Sequence, residues 1–84
     1  MTQRDKRHYR IVNNPANVDF EDIKTWLHDF GFELERVTGS HHIFRHTVTK
    51  AKLNFQPDRS GKAKRYQVKQ AIRAIESLRT MEIK

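Results

Sequence analysis

Three of the chain's five histidines fall within six positions, in the stretch Gly39-Ser40-His41-His42-Ile43-Phe44-Arg45-His46. An unperturbed imidazole both accepts and donates a proton near neutral pH, which suits it to general acid–base work. Gly39 and Ser40 mark a tight turn, and the residues after them read as a short strand, so His41 or His42 stands where a loop becomes rigid. A base held at such a rim can take the 2′-hydroxyl proton of a ribonucleotide and turn that oxygen on the adjacent phosphorus. Lys or Arg side chains then stabilise the charge that gathers on the pentavalent phosphate. DNA lacks the attacking hydroxyl, so this chemistry selects RNA. The candidate phosphate partners are Arg45, Lys52, Lys62, Lys64, Arg65 and Lys69.

Other chemistries find less support. An exposed or structural histidine pair is the plain alternative. A metal site is not expected, because strand alternation puts His42 and His46 on one side and His41 on the other, with no cysteine or nearby acid to complete a shell. Ser40 beside a histidine is not a triad, and no Gly-x-Ser-x-Gly elbow is present. Paired-carboxylate hydrolysis fails on placement, since the acids gather away from the basic end.

The elements that must carry the histidines follow from periodicity. Asp19 is positioned to cap a helix whose apolar face is Phe20, Ile23, Trp26, Leu27 and Phe30, and Gly31 ends it. Phe32 to Val37 reads as a first strand, with Phe32 and Leu34 facing one way and Val37 breaking the alternation. Thr38-Gly39-Ser40 forms the turn, and a second strand runs from His41 or His42 to His46. Adjacent Ile43 and Phe44 leave its buried face undecided. A third strand alternates Ala51, Leu53 and Phe55 against Lys52, Asn54 and Gln56. Pro57 to Gly61 ends the sheet, and Ser60-Gly61 can bring the backbone close to a phosphate, although a P-loop is absent. A second helix begins near Arg65 or Tyr66 and runs to about Arg79, burying Val68, Ala71 or Ile72, Ile75 and Leu78. The expected fold is α+β: a three-stranded antiparallel sheet with two helices packed on one face. Function is expected on the open sheet face or at its rim.

Size and charge bound the rest. Eighty-four residues make one small domain. Without cysteine there are no disulfides, which suits a reducing cytosol. With no apolar run long enough to span a bilayer and no signal-like start, a cytoplasmic location without membrane partners is expected. The net charge is +7 and unevenly spread. Asp19, Glu21, Asp22, Asp29, Glu33 and Glu35 face Lys24 alone between residues 19 and 35, whereas the chain beyond is strongly basic. That split predicts an acidic face and a basic one suited to a polyanion. Residues 1–17 read as a basic, flexible N-terminal arm, because Arg4 to Arg10 is too polar to hide and Asn13-Asn14-Pro15 forms a turn. Residues 18–84 read as the folded domain. His8 and His28 are taken as surface residues.

These motifs together resemble the HicA toxin family, small mRNA interferases of bacterial toxin–antitoxin pairs. The resemblance covers roughly Val18 to Leu78. It rests on Phe30-Gly31-Phe32, on Gly39-Ser40-His41-His42-Ile43-Phe44, on Asn54-Phe55-Gln56, and on Gly61-Lys62-Ala63-Lys64-Arg65-Tyr66-Gln67-Val68. It implies a double-stranded-RNA-binding-domain-like fold, α-β-β-β-α, and metal-independent cleavage of mRNA without a cofactor. It also implies neutralisation by a HicB-like antitoxin. The family's catalytic histidine follows the Gly-Ser turn and maps to His42, with His41 the runner-up, because His42 starts the strand proper. Gly39 and Ser40 then position the site. Many members carry a Val-Pro-His-type segment after the third strand where this chain has Asn54-Phe55-Gln56-Pro57. The acid for the leaving group is therefore unassigned, with His46 or a lysine as candidates. Single-stranded or locally unpaired message is the expected substrate. The competing readings are a non-catalytic RNA-binding module of the same fold and a protein-interaction domain.

Overall fold

The computed structural model describes residues 2–82. Met1 and residues 83–84, which fall within the arm and domain spans read from the sequence, lie outside the described residues. The element order is α1 (Gln3–Asn13), α2 (Phe20–Asp29), β1 (Phe32–Thr38), β2 (His41–His46), β3 (Lys52–Phe55) and α3 (Arg65–Glu82). From α2 onward this is the expected helix, three strands and helix. The strands form one antiparallel sheet in the order β1-β2-β3.

Register decides which side chains enter the core, because residues directly opposite one another share a face. Phe32 pairs with His46, Leu34 with Phe44, Phe44 with Leu53 and His42 with Phe55, all toward the helices. Ile43 pairs with Asn54 on the open face, which resolves the ambiguous Ile43-Phe44 pair in favour of Phe44 as the core residue. The broken alternation of the first strand is a bulge: the register slips between Leu34 and Arg36, so Val37 returns to the side of Leu34. Leu34 and Val37 are nonetheless 46% and 50% exposed, whereas Phe32 at the start of the same strand is buried. Trp26, Phe32, Phe44, Phe55 and Ile23 fill the core together with Val68, Ala71 and Ile75 of α3.

The Asp19 cap takes a different form from the expected one. Asp19 is the N-cap residue of α2, but its side chain makes no capping hydrogen bond. The segment before α3 does that work instead: Phe20 N donates to Gly61 O (3.0 Å) and Ala63 N to Val18 O (2.8 Å), in a short antiparallel bridge. The Asp19 carboxylate is left to accept from Lys62 Nζ at 3.1 Å.

The N-terminal segment also differs from the arm that its polarity suggests. Residues 3–13 form α1, started by a capping box in which Thr2 and Asp5 exchange hydrogen bonds. Its polar side chains find partners on α2. Arg7 and Arg10 pair with Asp29 and Asp22. Trp26 Nε1 donates to His8 Nδ1 at 3.1 Å, and the Arg4 guanidinium lies 4.7 Å from the Phe30 ring centre. Ile11 is fully buried in the core. His8 is thus a packing residue of the α1–α2 contact, where the sequence suggested a surface one. Ile11→Ala is expected to lower unfolding free energy by about 2–4 kcal/mol, the usual cost of truncating a buried isoleucine. Urea titration followed by Trp26 fluorescence measures it, and an unchanged midpoint would show that α1 contributes no core.

His46 holds the far end of the sheet. It is 8% exposed, and its Nε2–H donates to Phe30 O (2.9 Å), while Nδ1 accepts from Val48 N and Thr49 N (3.1 Å each). One neutral ring therefore ties the end of α2 to the β2–β3 turn. Gly31 makes room for it: a Cβ there would lie 2.7 Å from His46 Nε2, on a backbone at φ +90°. Gly31→Ala is expected to cost at least about 2 kcal/mol, from left-handed strain plus displacement of the ring. His46→Ala is expected to cost a similar amount, since three backbone groups lose their partner. Denaturant midpoints of both variants provide the check.

Candidate active site

The turn before β2 is a two-residue hairpin loop, with Thr38 facing His41 across its mouth. Gly39 has φ +61°, whereas Ser40 is not among the positive-φ residues. That sign pattern belongs to a type II′ turn, whose first central position favours glycine and whose twist matches the strands. A Cβ at Gly39 would meet nothing within 4 Å, so the demand for glycine is one of backbone conformation.

The two candidate histidines leave this turn on opposite faces. His41 lies on the open face, exposed, with Nδ1 3.3 Å from Asn54 Oδ1. His42 is half-buried at the helix side of the rim. Its ring meets Phe20 in an edge contact, 4.7 Å between centres at 64°. Its Nδ1 lies 3.0 Å from Ser40 O. A carbonyl can only accept, so the proton belongs on Nδ1 and the Nε2 lone pair is left to act as a base. No partner of Nε2 is found among the described residues.

A buried glutamine that sequence reading passed over supports this rim. Gln67, on α3, is 2% exposed. With its amide turned so that both atoms are satisfied, nitrogen donates to Gln56 O (3.0 Å) and oxygen accepts from Gln56 N (3.1 Å). The side chain thereby continues the backbone pairing beyond β3. Gln56 in turn accepts from Ser40 Oγ through its Oε1 at 3.1 Å. A glutamine at a helix position otherwise filled by Val68, Ala71 and Ile75 was the one available signal.

The basic candidates divide into two groups. Arg45 and Lys52 face each other on the open sheet face and share Glu35, at 3.3 and 3.8 Å. They stand on the opposite face from His42. Lys62, Lys64 and Arg65 belong to the segment bridged to the start of α2, the helix whose Phe20 touches His42. Lys62 is held by Asn17 (2.8 Å) and Asp19. Lys64, Arg65 and Lys69 pair with no carboxylate among the described residues. His46 lies at the other end of β2, both nitrogens engaged, so it cannot serve as the leaving-group acid beside His42. A groove of about 540 Å³ opens at that same distant end, against Tyr9, Phe30 and His46. Among the described residues no cluster of three His, Cys, Asp or Glu is placed to hold a metal ion.

The family model of the HicA toxin of bacterial toxin–antitoxin systems matches residues 20–76. The chain belongs to the HicA toxin family. The matched span runs from the start of α2 into α3 and includes the hairpin rim, Gln56 and Gln67, while α1 precedes it. No curated protein and no solved structure matches the chain. No helix among the described residues is long and apolar enough to cross a membrane.

The loop at Ser60-Gly61 is shaped by an internal anion. Asp58 Oδ1 accepts from Ser60 N (2.9 Å), Ser60 Oγ (2.7 Å) and Lys62 N (3.0 Å). Of the Ser60-Gly61 backbone expected to approach a phosphate, the Ser60 amide is already taken by this carboxylate and the Gly61 amide donates to Asp58 O at 3.1 Å. The Ser60 hydroxyl and then the Lys62 amide hold the Asp58 carboxyl below its ordinary value of 3.8. A depressed folded-state pKa stabilises the fold above the unfolded value, and that contribution is lost as pH falls through the folded one. The Ser60 and Lys62 amides are therefore expected to resist hydrogen exchange above the ordinary carboxyl range and to lose protection in strong acid. Asp58→Asn should remove that pH dependence; a variant whose exchange still tracks acidification would assign it to another group.

Proposed function

We propose that this HicA-family toxin is an mRNA interferase: a cytoplasmic endoribonuclease that cleaves single-stranded or locally unpaired message and is held in check by a HicB-like antitoxin. The observation that carries the reading is the His42 ring, with Nδ1–H on Ser40 O and Nε2 available as a base at a solvent-reachable rim. Family membership supports the toxin role.

In the proposed reaction His42 Nε2 accepts the 2′-hydroxyl proton. The 2′ oxygen attacks the adjacent phosphorus and the bond to the 5′ oxygen breaks. The products are a 2′,3′-cyclic phosphate and a 5′-hydroxyl. Charge on the phosphate is met by Lys62, Lys64 and Arg65 at the same end of the sheet, with Lys69 one turn along α3 extending the basic surface. A lysine of this segment is the remaining candidate for protonating the departing oxygen. Arg45 and Lys52 contact the strand backbone of RNA from the open face, where exchange of Glu35 for phosphate costs little because exposed ion pairs are weak, roughly 0.2–1 kcal/mol. His41 is the alternative base, but its Nδ1 faces a side-chain amide that can turn, whereas the partner of His42 is a backbone carbonyl.

Cleavage of a labelled single-stranded RNA by the pure protein in EDTA tests this directly. His42→Ala should retain its melting transition and lose about 10²–10⁴ in rate, the usual contribution of a positioned acid–base group. Full activity in that variant, or products ending in a free 3′-hydroxyl, would overturn the mechanism.

A further inference from the structure

The rim histidine is held by a chain of contacts that begins inside the protein. Gln67 is buried and forms two hydrogen bonds with the backbone of Gln56, the residue that follows β3. Those bonds fix Gln56 where Phe55, the last residue of the strand, lies opposite His42. From there the Gln56 side chain crosses to the hairpin and accepts the Ser40 hydroxyl proton at 3.1 Å. Ser40 then presents its carbonyl to His42 Nδ1 at 3.0 Å. Phe20 supports the ring on its edge. Every link from Gln67 to His42 is a hydrogen bond, and the chain passes from an almost fully buried amide to the rim in three steps.

The direction of the bonds matters. A two-residue turn at a sheet rim is otherwise free to fray, since its tip is exposed and little packs on it. Ser40 is exposed, and its tether to Gln56 spans sixteen residues of sequence. A Ser40 carbonyl that wanders cannot hold the proton on Nδ1, and the imidazole then exchanges between its two tautomers. Only one of them leaves Nε2 able to accept a proton. Partners outside the reacting group commonly set its tautomer and orientation in this way.

We infer that Ser40, Gln56 and Gln67 are positioning residues that hold His42 in the Nδ1–H tautomer through the Gln67–Gln56–Ser40–His42 hydrogen-bond chain. This rests on the reading of His42 as the base, but its test does not depend on RNA cleavage. Histidine tautomers are read directly from long-range ¹H–¹⁵N correlations of ¹⁵N-labelled protein at a pH where the ring is neutral.

Two substitutions at one position separate the relay from packing. Gln56→Glu keeps an oxygen that accepts from Ser40 Oγ, whereas Gln56→Met keeps the length and removes the acceptor. Both leave the backbone bonds to Gln67 in place. The wild-type protein and Gln56→Glu are expected to show His42 as a single Nδ1–H tautomer. Gln56→Met is expected to show averaged ring-nitrogen shifts, with kcat lowered about tenfold, at the lower end of the range for such outer partners, and KM unchanged. Ser40→Ala, at an exposed site that leaves the core intact, should give the same averaging and guards against misfolding at position 56. A single Nδ1–H tautomer in Gln56→Met or Ser40→Ala, or its loss in Gln56→Glu, overturns the inference. A wild-type protein that shows the tautomer yet cleaves no RNA overturns the proposed function and leaves the positioning chain standing.

Discussion

The imidazole of His46 is the point on which the rest of the sheet depends. It joins the carbonyl that ends α2 to the two amides that begin the β2–β3 turn, and it stacks edge-on against Phe32 at 5.0 Å. Those contacts meet where the chain reverses twice, so one side chain ties together the end of α2, the start of β1 and the β2–β3 turn. Gly31 exists in this arrangement as space as much as conformation, because any larger residue would enter the ring. With that end fixed, β2 delivers His42 four residues away on the same face, beside Phe20.

The other end of the sheet is assembled by a mutual arrangement between α2 and the segment before α3. The loop supplies Gly61 O to the first amide of the helix, and the helix start supplies the Asp19 carboxylate to Lys62. Asp58 folds the loop by taking the amides of Ser60 and Lys62 into one oxygen. The basic segment is thereby held against the start of α2, whose Phe20 meets the His42 ring. For the proton transfer proposed for His42 such constraint matters, since misplacement of about 1 Å can cost two orders of magnitude in rate.

The uneven charge of the chain has an internal explanation as well as an external one. Part of the acidic stretch is answered within the molecule: Asp22 and Asp29 by α1, Asp19 by Lys62, and Glu35 by Arg45 and Lys52. Lys64, Arg65 and Lys69, around the start of α3, are among the cations left without a carboxylate partner among the described residues. A polyanion approaching this protein meets a surface whose acids are largely occupied, which lowers repulsion near the rim.

Much of the architecture was legible in residue order alone. The three- and four-residue spacing of Phe20, Ile23, Trp26 and Leu27, the turn at Gly39-Ser40, and the alternation of Leu53 and Phe55 are local signals, and local backbone preferences decide them. The family resemblance followed from motifs within the same elements. The helical N-terminus is hard to see in the sequence because Ile11 is its one buried residue; its partners, Asp22, Asp29 and Trp26, lie on another helix, although the Thr2–Asp5 capping box is a local signal. Sequence determined that a histidine would stand at a strand rim within a basic half. Tertiary structure alone decided that His46 is a staple, that Arg45 and Lys52 face away from His42, and that a buried Gln67 reaches the rim through Gln56 and Ser40. Those outcomes depend on contacts between residues distant in the chain, and periodicity carries no information about which distant groups a fold brings within hydrogen-bonding reach.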